Sequence, residues 1–158
     1  MSLYHMSKSV WGPPTWQLLH CMVIKAKDIM TPPQIQELKN IIERVVSNLP
    51  CPICSGHALA FFKKNHYHRI HTLEQLRYFI FEFHNNVNKR LDKPLFGYEE
   101  HLRLYQQMNL EIVLRNMLQV YQNMNSTNVT MMLYSFHRTS IIRDLNKYFM
   151  ANDSLFYL

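Results

Sequence analysis

The sequence predicts an all-α protein. Only three Gly stand against ten Met, nine Phe and nine Tyr, whereas the turns of a β-rich fold would demand Gly. Apolar residues recur at helical spacing, and Pro, Thr and polar clusters fall where those runs begin and end. With 158 residues, 47% of them hydrophobic, the chain is long enough for one domain with a real core and too short to expect two.

The first helix is predicted to start at Pro13 or Pro14, after Gly12, and to reach about Ala26, with Trp16, Leu19, His20 and Val23 on one face. Thr31 caps a second, entered through Pro32 and Pro33, whose Ile35, Leu38, Ile42, Val45 and Leu49 keep helical spacing until Pro50 stops it. A third begins at Pro52, carries Ala58, Phe61 and Phe62, and ends in the polar stretch from Lys63 to His71. Thr72 with Gln75 is a capping box, and Leu76, Ile80, Phe83, Val87 and Leu91 then mark a long fourth helix, with His84 and Asn88 on a neighbouring face. Pro94 and Gly97 break the chain. Shorter helices follow from Tyr98 to about Met108 and from Leu110 to Tyr121, then a polar stretch from Asn123 to Thr130. The last segment, Met131 to Met150, has helical spacing at Tyr134, Ile141, Leu145 and Tyr148.

The formal charge of +6 suits an anionic partner: a phosphate-bearing cofactor, a nucleic acid or an acidic protein surface. No basic segment followed by an apolar stretch opens the sequence, and no run near twenty apolar residues occurs, so a protein without a cleaved secretion signal is expected. Three cysteines, two of them paired as Cys51-Pro52-Ile53-Cys54, do not make the disulfide framework of a small secreted domain.

That pair falls where one predicted helix has ended and another must begin. Unpaired N–H groups and a partial positive charge at a helix start favour a thiolate, which makes a Cys there nucleophilic. Taken alone, a CxxC is either a redox disulfide or part of a zinc site. Zinc would use Cys51, Cys54 and His57 with a fourth ligand from His66, His68 or His71, although no second CxxC is present. Haem attachment is excluded because Ser55 rather than His follows the second Cys. A thioredoxin-like fold is disfavoured because the segment before Cys51 has helical period. A redox disulfide that turns over needs a two-electron sink that side chains do not offer, and a flavin is the obvious one. Trp16, His20, His84, Asn88, Lys89 and Lys93 are types that would wall its ring and hold its phosphates.

Three motifs, Trp11-Gly12-Pro13-Pro14-Thr15-Trp16-Gln17-Leu18-Leu19-His20, Leu49-Pro50-Cys51-Pro52-Ile53-Cys54 and the run from Phe83 to Pro94, resemble in order and separation the Erv/ALR family of FAD-dependent sulfhydryl oxidases. The resemblance covers about Val10 to Tyr105 and is nearest to the compact members of large cytoplasmic DNA viruses. It implies a four-helix bundle around FAD, a short fifth helix at the adenine end, and a homodimer. It assigns Cys51 as the outer cysteine that takes substrate electrons and Cys54 as the one beside the flavin. It assigns cofactor contacts to Gly12, Thr15, Trp16 and His20 in the first motif, to His84, Asn85, Val87, Asn88, Leu91 and Lys93 in the third, and to Tyr105, where many relatives have Trp. The sequence departs from cellular members at Pro13, often Arg there, and at Glu82, often His. It has no distal shuttle CxxC, and its spare thiol, Cys21, reads as buried and inert.

The implied reaction converts two thiols and O2 to a disulfide and H2O2, with an exposed Cys51 and a sheltered Cys54. The expected partners are a thiol-bearing protein, such as a CxxC carrier, and O2, with neither nucleic acid nor membrane. Residues 1–118 are expected to form the oxidase domain and 119–158 a helical extension of unassigned role. Disulfides are rare in the cytosol, so the expected location is a host cytoplasm or virion if viral, or the mitochondrial intermembrane space if cellular. The rival from another class is a zinc-stabilised helical binding module without activity.

Overall fold

A computed structural model describes residues 8–124 and 129–158, with backbone alone for 129–135. The predicted all-α class is found: the described residues form seven α-helices and two 3-10 turns, with one isolated bridge and no strand among them. The helices are α1 (Lys8–Ile24), α2 (Pro32–Ser47), α3 (Pro52–Lys64), α4 (Leu73–Arg90), α5 (Tyr98–Gln106), α6 (Leu110–Gln122) and α7 (Val129–Asn152). None of the described helices is long and apolar enough to cross a membrane.

Helix α1 corrects the sequence expectation, because it begins at Lys8 and keeps Pro13 and Pro14 in its interior. Each proline removes a backbone hydrogen bond and crowds the preceding turn. Tertiary contacts offset this: Trp11 is buried, and the Thr15 hydroxyl donates to the Trp11 carbonyl oxygen (2.7 Å) while lying 2.8 Å from the Tyr121 hydroxyl. The helix also stops before Ala26, which leaves it to pair antiparallel with Phe156.

The capping box predicted at Thr72 forms, and Thr31, predicted only as a cap, has a box partner in Gln34 as well. Thr31 N–H donates to Gln34 Oε1 (2.8 Å), and the Gln75 N–H donates to Thr72 Oγ1 (3.2 Å). The polar stretch after α3 turns at His66, whose φ of 55° is left-handed, and is held by Lys39 Nζ donating to the Ile70 carbonyl oxygen (2.8 Å).

Packing follows from these faces. Helix α1 touches α4, α5 and α6, while α2 packs against α3 and α7. Leu18, Met22, Leu38, Ile42, Leu76, Ile80, Met117, Ile141 and Leu145 are fully enclosed in one core. Tyr134 and residues 125–128 of the polar stretch lie outside what the structure describes at side-chain level. Helix α6 runs continuously through residues 118 and 119. Beyond it, Arg44 of α2 pairs with Asp144 of α7, and the end of the chain is tied back by Lys27 N–H donating to the Leu155 carbonyl oxygen and Tyr157 N–H to that of Lys25, both 2.9 Å.

Candidate active site

Pro50 halts the chain after α2, and Cys51 becomes the N-cap of α3 with Pro52 at its first position. Cys51 and Cys54 are joined in a disulfide, and the Cys54 N–H donates to Cys51 Sγ (3.2 Å). The first turn of α3 carries no acidic residue to oppose a thiolate. The two sulfurs differ in setting, though in the opposite sense to the exposed Cys51 and sheltered Cys54 expected from exchange chemistry. Cys51 is only 9% exposed, whereas Cys54 is half-buried and lines a cavity of about 610 Å³. Around Cys51 the chain is tied locally, with Leu49 N–H donating to Ser55 Oγ (2.9 Å).

The cavity lies among α1, α3, α4 and α5 and has a size suited to a bound organic molecule. Its wall includes a flat stack: Trp16 and His84 lie 3.9 Å apart with planes 9° from parallel, and Phe83 packs 5.0 Å from Trp16. Of the residues assigned from the sequence, Gly12, Thr15, Trp16, His84, Val87, Asn88, Leu91, Lys93, Tyr105 and Cys54 all line it. Lys8, Arg90 and Lys93 give it a cationic rim. Exposed Lys89, Glu82 and the buried Cys51 are not among its lining residues.

His20 and Asn85 stand one layer back. His20 is fully buried, and its Nε2 is 2.8 Å from His84 Nδ1, so one neutral ring donates to the other. His20 Nδ1 has no partner among the described residues. An orphaned N–H is the rarer kind of unsatisfied group, so His20 Nε2–H is the donor and His84 carries its remaining proton on Nε2. Asn85 clamps the loop after α4: its Nδ2 donates to the Phe96 carbonyl oxygen and the Phe96 N–H donates to its Oδ1, both 3.0 Å. That clamp holds the turn bearing Lys93, Pro94 and Phe96, all of which line the cavity. Asn85→Ala should cost about 1–3 kcal/mol, the penalty for two lost and partly buried hydrogen bonds, read as a lower urea midpoint at unchanged slope.

Burial first, then the charges of His101 and His84, holds the His20 imidazole well below its usual range. Burial, with His101 and Lys93 nearby, brings His84 to about 4. His101 is also held at about 4 by burial, and its ring sits edge-on to His20 at 4.2 Å. These rings are therefore neutral near pH 7. Tyr105 stacks on His20 at 4.3 Å, and burial, with Cys21 adding, pushes its phenol up to about 12. Burial likewise pushes the Cys21 thiol up to about 11, in keeping with an inert core cysteine.

Sequence reasoning missed His57, Trp11, Phe83 and Lys8 as lining residues. His57 was legible, since it stands three residues after Cys54 on the same helical face. It also missed His101, which no motif or spacing connects to His20. The zinc arrangement is not assembled: its two cysteines are bonded to each other, and no group of three or more His, Cys, Asp or Glu residues is placed to hold a metal among the described residues.

The sequence profile of the Erv1 / Alr family matches residues 13–108. An African swine fever virus protein (isolate Pig/Kenya/KEN-50/1950) named FAD-linked sulfhydryl oxidase is 34% identical over 103 residues, 65% of this chain and 86% of its own length. Its counterpart from isolate Tick/Malawi/Lil 20-1/1983 matches with the same identity and coverage. The mitochondrial FAD-linked sulfhydryl oxidase erv1 of Schizosaccharomyces pombe is 33% identical over 87 residues, 54% of this chain and 48% of its own length. Because the profile spans most of α1 and all of α2 to α5, the helices that enclose the cavity, and the viral relatives are matched over most of their length, the chain belongs to the Erv1 / Alr family.

Proposed function

We propose that the Cys51–Cys54 disulfide is the electron entry of this FAD-dependent thiol oxidase and that Cys54 is the sulfur facing the cofactor. One observation carries the assignment: Cys54 shares a cavity wall with the Trp16/His84 stack and the Lys8, Arg90 and Lys93 cations. Those residues fit FAD. Flat rings suit an aromatic ring system, Thr15 and Asn88 offer polar contacts, and the cations suit a pyrophosphate. When bound, FAD supplies the two-electron acceptor that the side chains lack, restoring the disulfide and delivering the electrons to O2 as H2O2.

The chain's own part is thiol–disulfide exchange. A substrate thiolate attacks Cys51 Sγ, forming a mixed disulfide and releasing Cys54 as a thiolate at the first turn of α3, where backbone N–H groups stabilise it. A second substrate thiol, losing its proton, attacks the substrate sulfur of that mixed disulfide, so the substrate leaves oxidised and Cys51 leaves reduced. Cys51 is only 9% exposed, so its attack requires local opening, and the exposed Pro52 and Ile53 that follow it, Ile53 at 70%, mark the side from which a protein thiol approaches. His84, neutral and fixed by His20, presents a constant hydrogen-bonding face to the cavity.

A protein substrate with its own CxxC, a homodimeric assembly, an oxidase unit over residues 1–118 with residues 119–158 as an addition, and residence in a host cytoplasm or virion complete the proposal. The viral relatives support the host location among these. The purified protein should be yellow, with flavin absorption bands, and should consume O2 with dithiothreitol while producing equimolar H2O2. A colourless protein carrying stoichiometric zinc would overturn this in favour of the binding module.

A further inference from the structure

The cavity-facing turn of α1 is the weakest part of that helix by sequence. Pro13 and Pro14 have no N–H to donate, so two hydrogen bonds of the helix cannot form, and Gly12 beside them adds backbone freedom. Yet Trp11, Gly12, Pro13 and Thr15 all line the cavity. Something outside α1 has to hold the turn in place.

The hydrogen bonds identify the group that does so. The Thr15 hydroxyl has one proton, and it goes to the Trp11 carbonyl oxygen at 2.7 Å. The contact of 2.8 Å between Thr15 Oγ1 and Tyr121 Oη therefore has Tyr121 as its donor. A directed chain results, from Tyr121 to Thr15 to the Trp11 carbonyl, spanning the turn that contains both prolines. Tyr121 is 2% exposed, and burial raises its phenol, so it keeps the proton it donates. It stands in α6, beyond the residues 13–108 matched by the family profile.

We propose that Tyr121 is a positioning residue for the cofactor cavity, acting through Thr15 to hold the proline-interrupted turn of α1. The α6 segment thereby steadies a wall that α1 builds without a full set of backbone hydrogen bonds. This rests on the assignment of the cavity to FAD.

The test titrates FAD into full-length protein stripped of flavin, following the quenching of flavin fluorescence, alongside amide hydrogen exchange at Trp11, Gly12, Thr15 and Trp16. Tyr121→Phe keeps the buried ring and deletes only the hydroxyl. It should raise the Kd for FAD threefold or more, the scale of one net hydrogen bond, and speed exchange in that turn by at least the same factor. Tyr148→Phe is the matched control, because its hydroxyl is buried in α7 with no partner among the described residues; it should leave both quantities at wild-type values. A Kd change below threefold with Tyr121→Phe overturns the proposal, as does an equal change with Tyr148→Phe. If the wild-type chain takes up no FAD, the cofactor assignment fails instead, and the exchange rates still decide whether Tyr121 holds the turn. Should Tyr121→Phe not fold, Thr15→Ser and Thr15→Val replace it: Ser keeps the hydroxyl and wild-type exchange, whereas Val loses it and exchanges faster, and slow exchange in Thr15→Val sinks the idea.

Discussion

Cys54→Ser should reduce oxygen consumption with dithiothreitol to background while the purified protein stays yellow. The disulfide cannot form without Cys54, so substrate electrons have no route into the cavity that it lines. A loss of at least roughly a thousandfold is expected, on the order of 4 kcal/mol in the barrier. Cofactor retention should survive because the stack of Trp16 on His84 and the rim of Lys8, Arg90 and Lys93 are untouched. Folding should survive as well: the bridge closes a loop with a sequence separation of 3, and cross-linking so short a loop contributes only about 2 kcal/mol. The same variant leaves Cys51 free to form a mixed disulfide with an oxidised substrate protein, which makes it the trap for identifying that partner. Undiminished oxygen uptake by Cys54→Ser, measured with an oxygen electrode, would rule out the Cys51–Cys54 route.

The secondary structure was legible wherever a local signal was complete. Thr31 followed by Pro32 and Pro33, and the capping box of Thr72 with Gln75, marked two helix starts because each signal is complete within four residues. Helix α1 defeated the same logic. Read locally, Pro13 starts a helix; in the fold, burial of Trp11 and the reach of Tyr121 from α6 carry the helix through both prolines, and no local pattern encodes contacts between residues 106 apart.

The site divides in a similar way. Trp16 and His20 share a face by spacing alone, but the meeting of His20 with His84, 64 residues on, was accessible only through three motifs in register. Asn85 was assigned to the cofactor region with them, and the structure gives it the prior task of pinning Phe96. The relative exposure of Cys51 and Cys54 was not readable, since it depends on how the turn between α2 and α3 packs against the core. Tyr121 escaped notice as the single polar ring on an otherwise ordinary amphipathic helix, and His101 because no motif ties it to His20. In helix α7 the spacing picked out Ile141 and Leu145, which are fully buried, but not that the helix packs on α2 and α6.

The protein should lose thermal stability steeply as the pH falls from 6.5 towards 4. His84 and His101 are held at about 4, and His20 is lowered too, whereas each imidazole in the unfolded chain titrates near 6.5. Between those values the unfolded chain binds more protons than the native one, so stability rises with pH across this window. The contribution is complete above about 6.5 and is withdrawn as the pH drops. For His84 and His101 together it is on the order of several kcal/mol, a large share of a typical domain's stability, and the melting temperature should fall by about 10 °C or more between pH 7 and pH 4.5. The geometry explains why the rings cannot simply accept protons. His101 lies against His20, Phe81, Tyr98 and Tyr105 with both nitrogens unpartnered among the described residues, and a charged His84 would face Lys93 across the cavity rim. Circular-dichroism melts at constant ionic strength provide the measurement. His101→Phe serves as the internal check, since it deletes one proton-binding group while keeping an aromatic ring among aromatic neighbours, and it should shrink the acid-induced drop without lowering stability at pH 7. A melting temperature that holds level down to pH 4.5, or an acid drop unchanged in His101→Phe, would show that the buried imidazoles do not govern the acid response.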